Sequence, residues 1–439
     1  MAEPLKVGLA GLGTVGSAVV QLLDRGREKL IARCGRGIDV VAISARSRNK
    51  KRSFDADRFR WISDAAALAR DPKIDVLVEV IGGAAGTAKL TVETALAAGK
   101  PVVTANKALL AAEGQRLAAL AERHHVALNF EASVAGGIPI VKTLREGLNG
   151  ATFTRIYGIL NGTCNYILTR MEQDRLGFAE CLKEAQRLGY AEADPSFDTE
   201  GHDTAQKLVI LASIAFGTKI DPRAVYSEGI ASITPADLNA AAELGYRVKL
   251  LGVAVKTAAG IEQRVHPTMV PRESAIAQVM GVTNAVTIDA DGLAPITLVG
   301  PGAGGGATAS AIIADLADIA RGVRTPPFGR PAARMTTIRK APMQHHEGGY
   351  YIRLLARDRP GTAATIARRL AQQKISLESI VQRHDAGTGG AVQTRRSETV
   401  PVILITYATS EDAVHKALAA VRRDRVVYGR PQVIRIERA

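Results

Sequence analysis

A chain of 439 residues is too long for one ordinary hydrophobic core and implies two or three domains. Its 46% apolar composition can fill those cores and excludes a long disordered chain, while three scattered cysteines (Cys34, Cys164, Cys181) exclude a disulfide framework and a cysteine zinc site. The net charge of +14 invites a nucleic-acid partner, but a solvated basic surface or anionic small-molecule sites are expected instead.

The N-terminus enters a strand-like run directly, with no basic leader, and no apolar run reaches the roughly 18 residues that a span requires. A cytoplasmic protein with no membrane or nucleic-acid partner is expected. From Leu5 to about Asn129, continuous apolar runs (5–10, 38–44, 75–81, 101–104, 126–130) alternate with helix-like stretches. That alternation predicts βαβ units and a parallel sheet covered on both faces.

From Glu131 the pattern changes to α+β. Helices are expected at 164–173, 178–188 and 200–216, then β runs at 247–256, 261–270, 283–289 and 295–300. A glycine run at 300–306 precedes a helix reaching Arg321. Residues 322–347, rich in proline and basic residues, read as a linker. The tail orders as strand 350–356, turn 358–361, helix 362–373, strands 376–383 and 400–408, helix 411–422 and strand 432–437. This is a ferredoxin-like βαββαβ unit.

The most informative motif is Gly11-Leu12-Gly13-Thr14-Val15-Gly16, set between the first strand and a helix running through Leu23. Gly11 permits the tight turn, Gly13 the approach of backbone to a pyrophosphate, and Gly16 the packing of helix on strand. The pyrophosphate would lie at the helix N-terminus, against Thr14 and Val15. The second strand ends at Ser44-Ala45-Arg46-Ser47-Arg48, where an NAD site usually presents an acid. Arg46 favours the extra phosphate of NADP, with NAD left open.

Polar clusters follow. Thr104-Ala105-Asn106-Lys107 closes a parallel strand, so Lys107 should face the ligand crevice. Asp203 and Lys207 lie four apart on one helix face. Alone they are an ordinary ion pair, and Glu192, Asp194 and Asp198 alone a solvated acidic loop. The adjacent pairs His124-His125 and His345-His346 lack metal-site spacing and are expected in solvent.

Together, TANKAL, EASVAGGIPI, GILNGTCNYIL and LGYAEADPSFDTEGHDTAQKL resemble homoserine dehydrogenase over about residues 5–321, and the tail with its DRPG turn resembles an ACT domain. The resemblance implies reversible reduction of L-aspartate 4-semialdehyde to L-homoserine with NAD(P)H, in threonine, methionine and isoleucine biosynthesis. It implies Lys207 as proton donor, with Lys107 and Asp203 beside it, and Glu192, Asp198 and Asp203 on the substrate. It also implies Thr104, Gly189 and Gly304 at the cofactor, and a structural sodium held by Glu131, Val134, Gly136 and Ile138. Threonine as an effector on the ACT domain and a homodimer or homotetramer are further implications.

The expected architecture is a Rossmann domain (1–135 with about 302–330, discontinuous), an α+β catalytic and dimerisation domain (136–301), a linker (331–348) and an ACT-like regulatory domain (349–439). No kinase segment is expected ahead of the glycine loop. Two alternatives were weighed against this reading: a cofactor-bound amino-acid sensor without turnover, and another dehydrogenase of an amino-acid semialdehyde. The first conflicts with the presence of Lys107, Asp203 and Lys207 together.

Overall fold

The structure, a computed structural model, describes residues 2–337, 339–382 and 399–437. Position 383, the expected end of one tail strand, lies outside them.

The apolar run of the first strand, Ala2–Ala10, is buried on both faces at Val7, Leu9 and Ala10, as a central parallel strand requires. It pairs in parallel with Arg36–Ser44 on one side and Val76–Glu79 on the other. Outward from these come Arg60–Trp61 beyond Arg36–Ser44, and Val102–Thr104 then Leu128–Asn129 on the other flank, giving a six-stranded parallel sheet. Strand order reverses beside the first strand, which opens a crevice at its carboxyl end. The helix after the glycine loop, Thr14–Cys34, outruns its expected end at Leu23 and stops only at Gly35, whose φ is 74°. Helix Gly305–Ala320 returns from far along the chain to pack on it: Ala309, Ile312 and Leu316 share one core with Val19, Val20 and Leu23.

The second sheet has 11 strands and contains the tail as well as the middle of the chain. Its spine runs 293–301, 283–290, 153–159, 246–257, 260–271, 427–436, 347–357, 399–406, 377–382. Strand Phe153–Ile159, which the sequence pattern does not predict, sits near the centre of the middle section. Only part of it is buried, so its apolar run is broken by half-exposed Thr154 and Arg155. Across the second sheet lies helix His202–Phe216, buried along nearly its whole length from Asp203 to Ala215.

The tail folds in the expected βαββαβ order, with helices Thr362–Gln372 and Glu411–Arg423. Its last strand pairs in parallel with Gly260–Pro271, through Thr268 opposite Arg435 and Met269 opposite Ile436, so the two parts share one sheet. The connecting segment is also docked rather than free. Phe328 is fully buried, Ile261 N–H donates to the Arg339 carbonyl at 2.8 Å, and Ala332 N–H donates to Glu122. The histidine pairs divide. His124, His125 and His345 are exposed as expected, but His346 is buried with Nδ1 2.9 Å from Glu262, because strand Glu347–Arg357 carries it into the seam. Among the described residues no helix is long and apolar enough to cross a membrane.

Candidate active site

The glycine loop is a backbone solution to close approach. Gly11 has φ 106°, and a Cβ there would lie 2.5 Å from the Val80 carbonyl oxygen. A Cβ at Gly16 would lie 2.0 Å from the Gly11 oxygen, so helix and strand touch only through hydrogen. Gly13 faces open space and no side chain caps the helix that begins at Thr14, leaving its first N–H groups for an anion. The second helix start is equally bare: Gly304 has φ 106°, and a Cβ on Gly305 would stand 3.1 Å from Thr14 Cγ2. Two uncapped helix N-termini therefore adjoin at one crevice. Val15 is half-buried behind Thr14. Arg46 is exposed two residues past Ser44, whose carbonyl accepts from Gly11 N–H at 2.8 Å. Arg46 has no carboxylate partner among the described residues. Elsewhere in the basic stretch Arg48 stands 3.8 Å from Asp57, Arg52 lies over the Trp61 ring, Arg58 pairs with Asp24 and Arg60 with the buried Asp71.

Strand Val76–Glu79 ends in an acid that sequence reasoning passed over. Glu79 is fully buried; Oε1 accepts from Ile81 and Gly82 N–H (2.8 and 3.0 Å) and Oε2 from the Thr104 hydroxyl (2.6 Å). Thr104 Oγ1 in turn accepts from Asn106 N–H at 3.0 Å, so the Thr104 side chain is committed to the scaffold and only its main chain can face a cofactor. Asn106 caps helix Lys107–Arg123 through Leu109 N–H and donates to the Gly83 carbonyl. This chain of bonds fixes Lys107 at the first turn of its helix, at the mouth of the crevice. An acid closing an otherwise apolar strand, DVLVEV, was the signal available for Glu79.

Helix His202–Phe216 brings Asp203 and Lys207 together as their four-residue spacing predicts: Lys207 Nζ is 2.8 Å from Asp203 Oδ2 and 2.7 Å from the Leu160 carbonyl. Lys107 Nζ stands 3.3 Å from the other oxygen of Asp203. One carboxylate thus lies between two ammoniums, one from each sheet system. Asn161 completes the group. Its Nδ2 donates to Asp198 (2.8 Å) and Asp203 (2.9 Å), while its Oδ1 caps helix Gly162–Asp174 through Cys164 N–H at 2.8 Å. No local pattern marks Asn161 for this role, since its partners lie about forty residues away in the chain.

Burial alone would raise Asp203, but the Lys207 and Lys107 charges, with hydrogen bonds from Lys207 and Asn161, outweigh it and hold the carboxyl below its ordinary value. Asp198 moves the other way, raised by burial and by the neighbouring Asp203 charge, although Asn161 opposes the shift. Glu192 is not brought into this cluster. It is exposed on the preceding loop, and among the described residues its carboxylate makes no hydrogen bond or ion pair; only its main-chain oxygen is used, by Gln186 at 3.0 Å. Gly189, with φ 77°, begins that loop, and the next residue's carbonyl accepts from the Thr163 hydroxyl at 2.6 Å.

Comparison with known proteins decides what this constellation belongs to. The homoserine dehydrogenase family model matches residues 139–317, its NAD-binding domain model residues 11–131, and the ACT domain model residues 350–424. The homoserine dehydrogenase of Pseudomonas aeruginosa is 43% identical over 99% of both chains. The chain belongs to the homoserine dehydrogenase family.

It is an oxidoreductase with a Rossmann NAD(P)-binding domain and an ACT domain. The crystal structure of a homoserine dehydrogenase from Thiobacillus denitrificans superposes with a TM-score of 0.92 at 42% identity, covering 99% of this chain and 98% of that one. A hyperthermophilic archaeal homoserine dehydrogenase, solved in complex with NADPH, matches 72% of this chain at 27% identity and a TM-score of 0.62.

The turn implied by the resemblance to hold sodium has one feature that fits and one that does not. The main-chain oxygens of Val134 and Gly136 accept no hydrogen bond among the described residues, which suits a hard cation. The Glu131 carboxylate, expected as a ligand, is already held by Val141 and Lys142 N–H, at 2.8 Å each, at the start of the next helix. The Ile138 main-chain oxygen is likewise engaged, accepting from Ile140 N–H at 2.8 Å.

Proposed function

We propose that this chain interconverts L-aspartate 4-semialdehyde and L-homoserine, the step that leads toward threonine, methionine and isoleucine. The observation that carries the reading is Asp203 held between Lys107 and Lys207 at the junction of crevice and catalytic sheet. A bound nicotinamide supplies or accepts the hydride.

Reduction of the aldehyde develops negative charge on its oxygen, and a nearby ammonium stabilises that charge and delivers the proton. Lys207 is the proposed donor. Two of its three N–H bonds are held by Asp203 and the Leu160 carbonyl, which aims the third. Lys107 lines the same point from the cofactor side. Asp203 and Asp198 receive the substrate ammonium group, and Glu192 joins them if its loop folds inward on the substrate.

The cofactor rests on Gly11, Gly13, Thr14, Val15 and Gly16, with Gly304, Thr104 and Gly189 adjoining. The nucleotide-binding unit is discontinuous in this reading, 1–135 with about 302–330. NADP is favoured over NAD, supported by Arg46 where an acid would serve NAD and by the NADPH complex of the archaeal relative. A sodium ion would be held by Glu131 with the backbone of Val134, Gly136 and Ile138 as a structural clip, supported by the unengaged main-chain oxygens of Val134 and Gly136. The ACT domain mediates feedback by threonine, and the working particle is a cytoplasmic homodimer or homotetramer.

Lys207→Ala tests the chemistry. It should lower kcat for homoserine oxidation by about 10²–10⁴, the usual worth of a positioned acid–base group. Wild-type turnover in that variant would move the proton-transfer role to Lys107.

A further inference from the structure

Glu79 closes strand Val76–Glu79, which flanks the first strand on the side away from Arg46. Its side chain is fully buried and accepts three hydrogen bonds, from Ile81 N–H, Gly82 N–H and the Thr104 hydroxyl. All three donors are neutral. Among the described residues no lysine, arginine or histidine nitrogen stands within ion-pair distance of this carboxylate. Buried carboxylates elsewhere in the molecule are matched by cations, Asp203 by Lys107 and Lys207, Asp237 by Arg353. A buried charge left without a counterion is strongly unfavourable, so the position of Glu79 calls for a cation that the chain itself does not supply.

The segment that follows Glu79 is a wall of the cofactor crevice. Val80 N–H donates to the Ala10 carbonyl at 2.8 Å, and a Cβ on Gly11 would stand 3.0 Å from the Ile81 nitrogen. Ile81 is an exposed apolar side chain, and Gly82 and Gly83, with φ 86° and 90°, carry the exposed turn beyond it. The Glu79 carboxylate holds this wall from its inner side through Ile81 and Gly82 N–H. Asn106 ties the same wall to the start of the Lys107 helix, its Nδ2 donating to the Gly83 carbonyl at 2.8 Å.

A dinucleotide with its adenosine half toward strand Arg36–Ser44 and its pyrophosphate on the glycine loop carries its nicotinamide half to the other flank, where Val76–Glu79 and Val102–Thr104 end. The oxidised nicotinamide ring bears a unit positive charge and the reduced ring none. A carboxylate fixed behind the wall on that flank acts differently on the two redox forms. Its field passes through protein rather than water, so it is weakly screened, and its three hydrogen bonds keep it from reorienting.

We propose that Glu79 is a positioning residue whose buried charge is matched by the oxidised nicotinamide, so that it strengthens the binding of NADP+ relative to NADPH. The proposal rests on the cofactor reading given above and is independent of the substrate.

The test is equilibrium binding of NADP+ and of NADPH, without homoserine, to the full-length wild type, Glu79→Gln and Thr104→Val, with a thermal melt of each. Glu79→Gln keeps the shape, an oxygen for the two N–H groups and a donor toward Thr104, and removes the charge. It should weaken NADP+ relative to NADPH by about tenfold, the order expected for one unit charge removed at roughly 10 Å in surroundings of effective dielectric about 20. Thr104→Val releases the scaffold bond and keeps the charge, so it should change both affinities by the same factor. Equal weakening of both forms by Glu79→Gln makes Glu79 scaffold alone and overturns the proposal; so do two unchanged affinities. A tenfold shift of the ratio in Thr104→Val also overturns it, whether or not Glu79→Gln folds. A wild type that binds neither form overturns the cofactor reading and the proposal together, whereas a wild type that binds both, with a ratio that Glu79→Gln leaves untouched, overturns the proposal alone.

Discussion

Asn161 has the widest reach of any side chain in the site. A single amide bridges Asp198 and Asp203, whose like charges would otherwise repel, and its carbonyl end caps a helix. Replacing it with alanine strands two buried carboxylate oxygens and one helix N–H, at a cost of about 1–3 kcal/mol. The Asp198 carboxyl, already raised by burial and by Asp203, loses the hydrogen bond that holds it down. Asn161→Ala is therefore expected to raise the KM for homoserine and to move the acid limb of the kcat/KM profile to higher pH. A merely structural role would lower Tm and leave that limb in place. Legibility at this scale followed distance in sequence. Asp203 and Lys207, one helical turn apart, could be paired from spacing alone, and the structure pairs them. Asn161, Glu79 and the exposed position of Glu192 depend on where separate elements meet, which local patterns do not specify.

At the scale of elements, the runs that read most clearly were the parallel strands, because burial on both faces leaves an unbroken apolar stretch. Strand Phe153–Ile159 escaped because half-exposed residues interrupt its run. Its neighbour Tyr246–Thr257 carries Lys249, which is 1% exposed, with Nζ 3.0 Å from Asn165 Oδ1. Burial first, then the Arg247 charge, push that ammonium down to about 7. Between about pH 7 and 10 the unfolded chain holds this proton and the folded chain does not, so folding stability rises with pH across that window. The Tm of the wild type should therefore gain on that of Lys249→Met as pH is raised from 7 toward 10, read by thermal melts; a constant difference would mean that Lys249 stays charged when buried. The end of strand Arg36–Ser44 carries a second prediction. Arg46→Asp should shift the ratio of kcat/KM values from NADP+ toward NAD+ by removing a phosphate partner and supplying a ribose acceptor. An unchanged ratio would show that Arg46 is only solvated.

In the whole molecule, composition and motif order announce three parts, and the sheet shared by the middle of the chain and the tail shows that these two are not separable beads. A regulatory domain at 349–439 joined by a free linker, as the sequence predicts, could be removed and leave a working catalytic body. The shared sheet argues otherwise. Without the tail, strand Gly260–Pro271 loses its pairing with Val427–Ile436, Arg264 and Arg155 lose Glu437, and Asp237 loses Tyr351 and Arg353. Leaving such buried groups unpaired is strongly destabilising. The truncated chain should melt well below the full chain or aggregate, and a truncated chain with wild-type Tm would contradict the continuity of the sheet. Strand pairing between distant segments has no local signature, which is why a proline-rich connection read as a free linker. The proposed reaction is tested most directly by nicotinamide reduction by the purified full-length chain with L-homoserine, at alkaline pH, with NADP+ and NAD+ in parallel. Reduction of nicotinamide dependent on homoserine, faster with NADP+, is predicted; a folded chain that binds the cofactor and gives no homoserine-dependent reduction with either would contradict it.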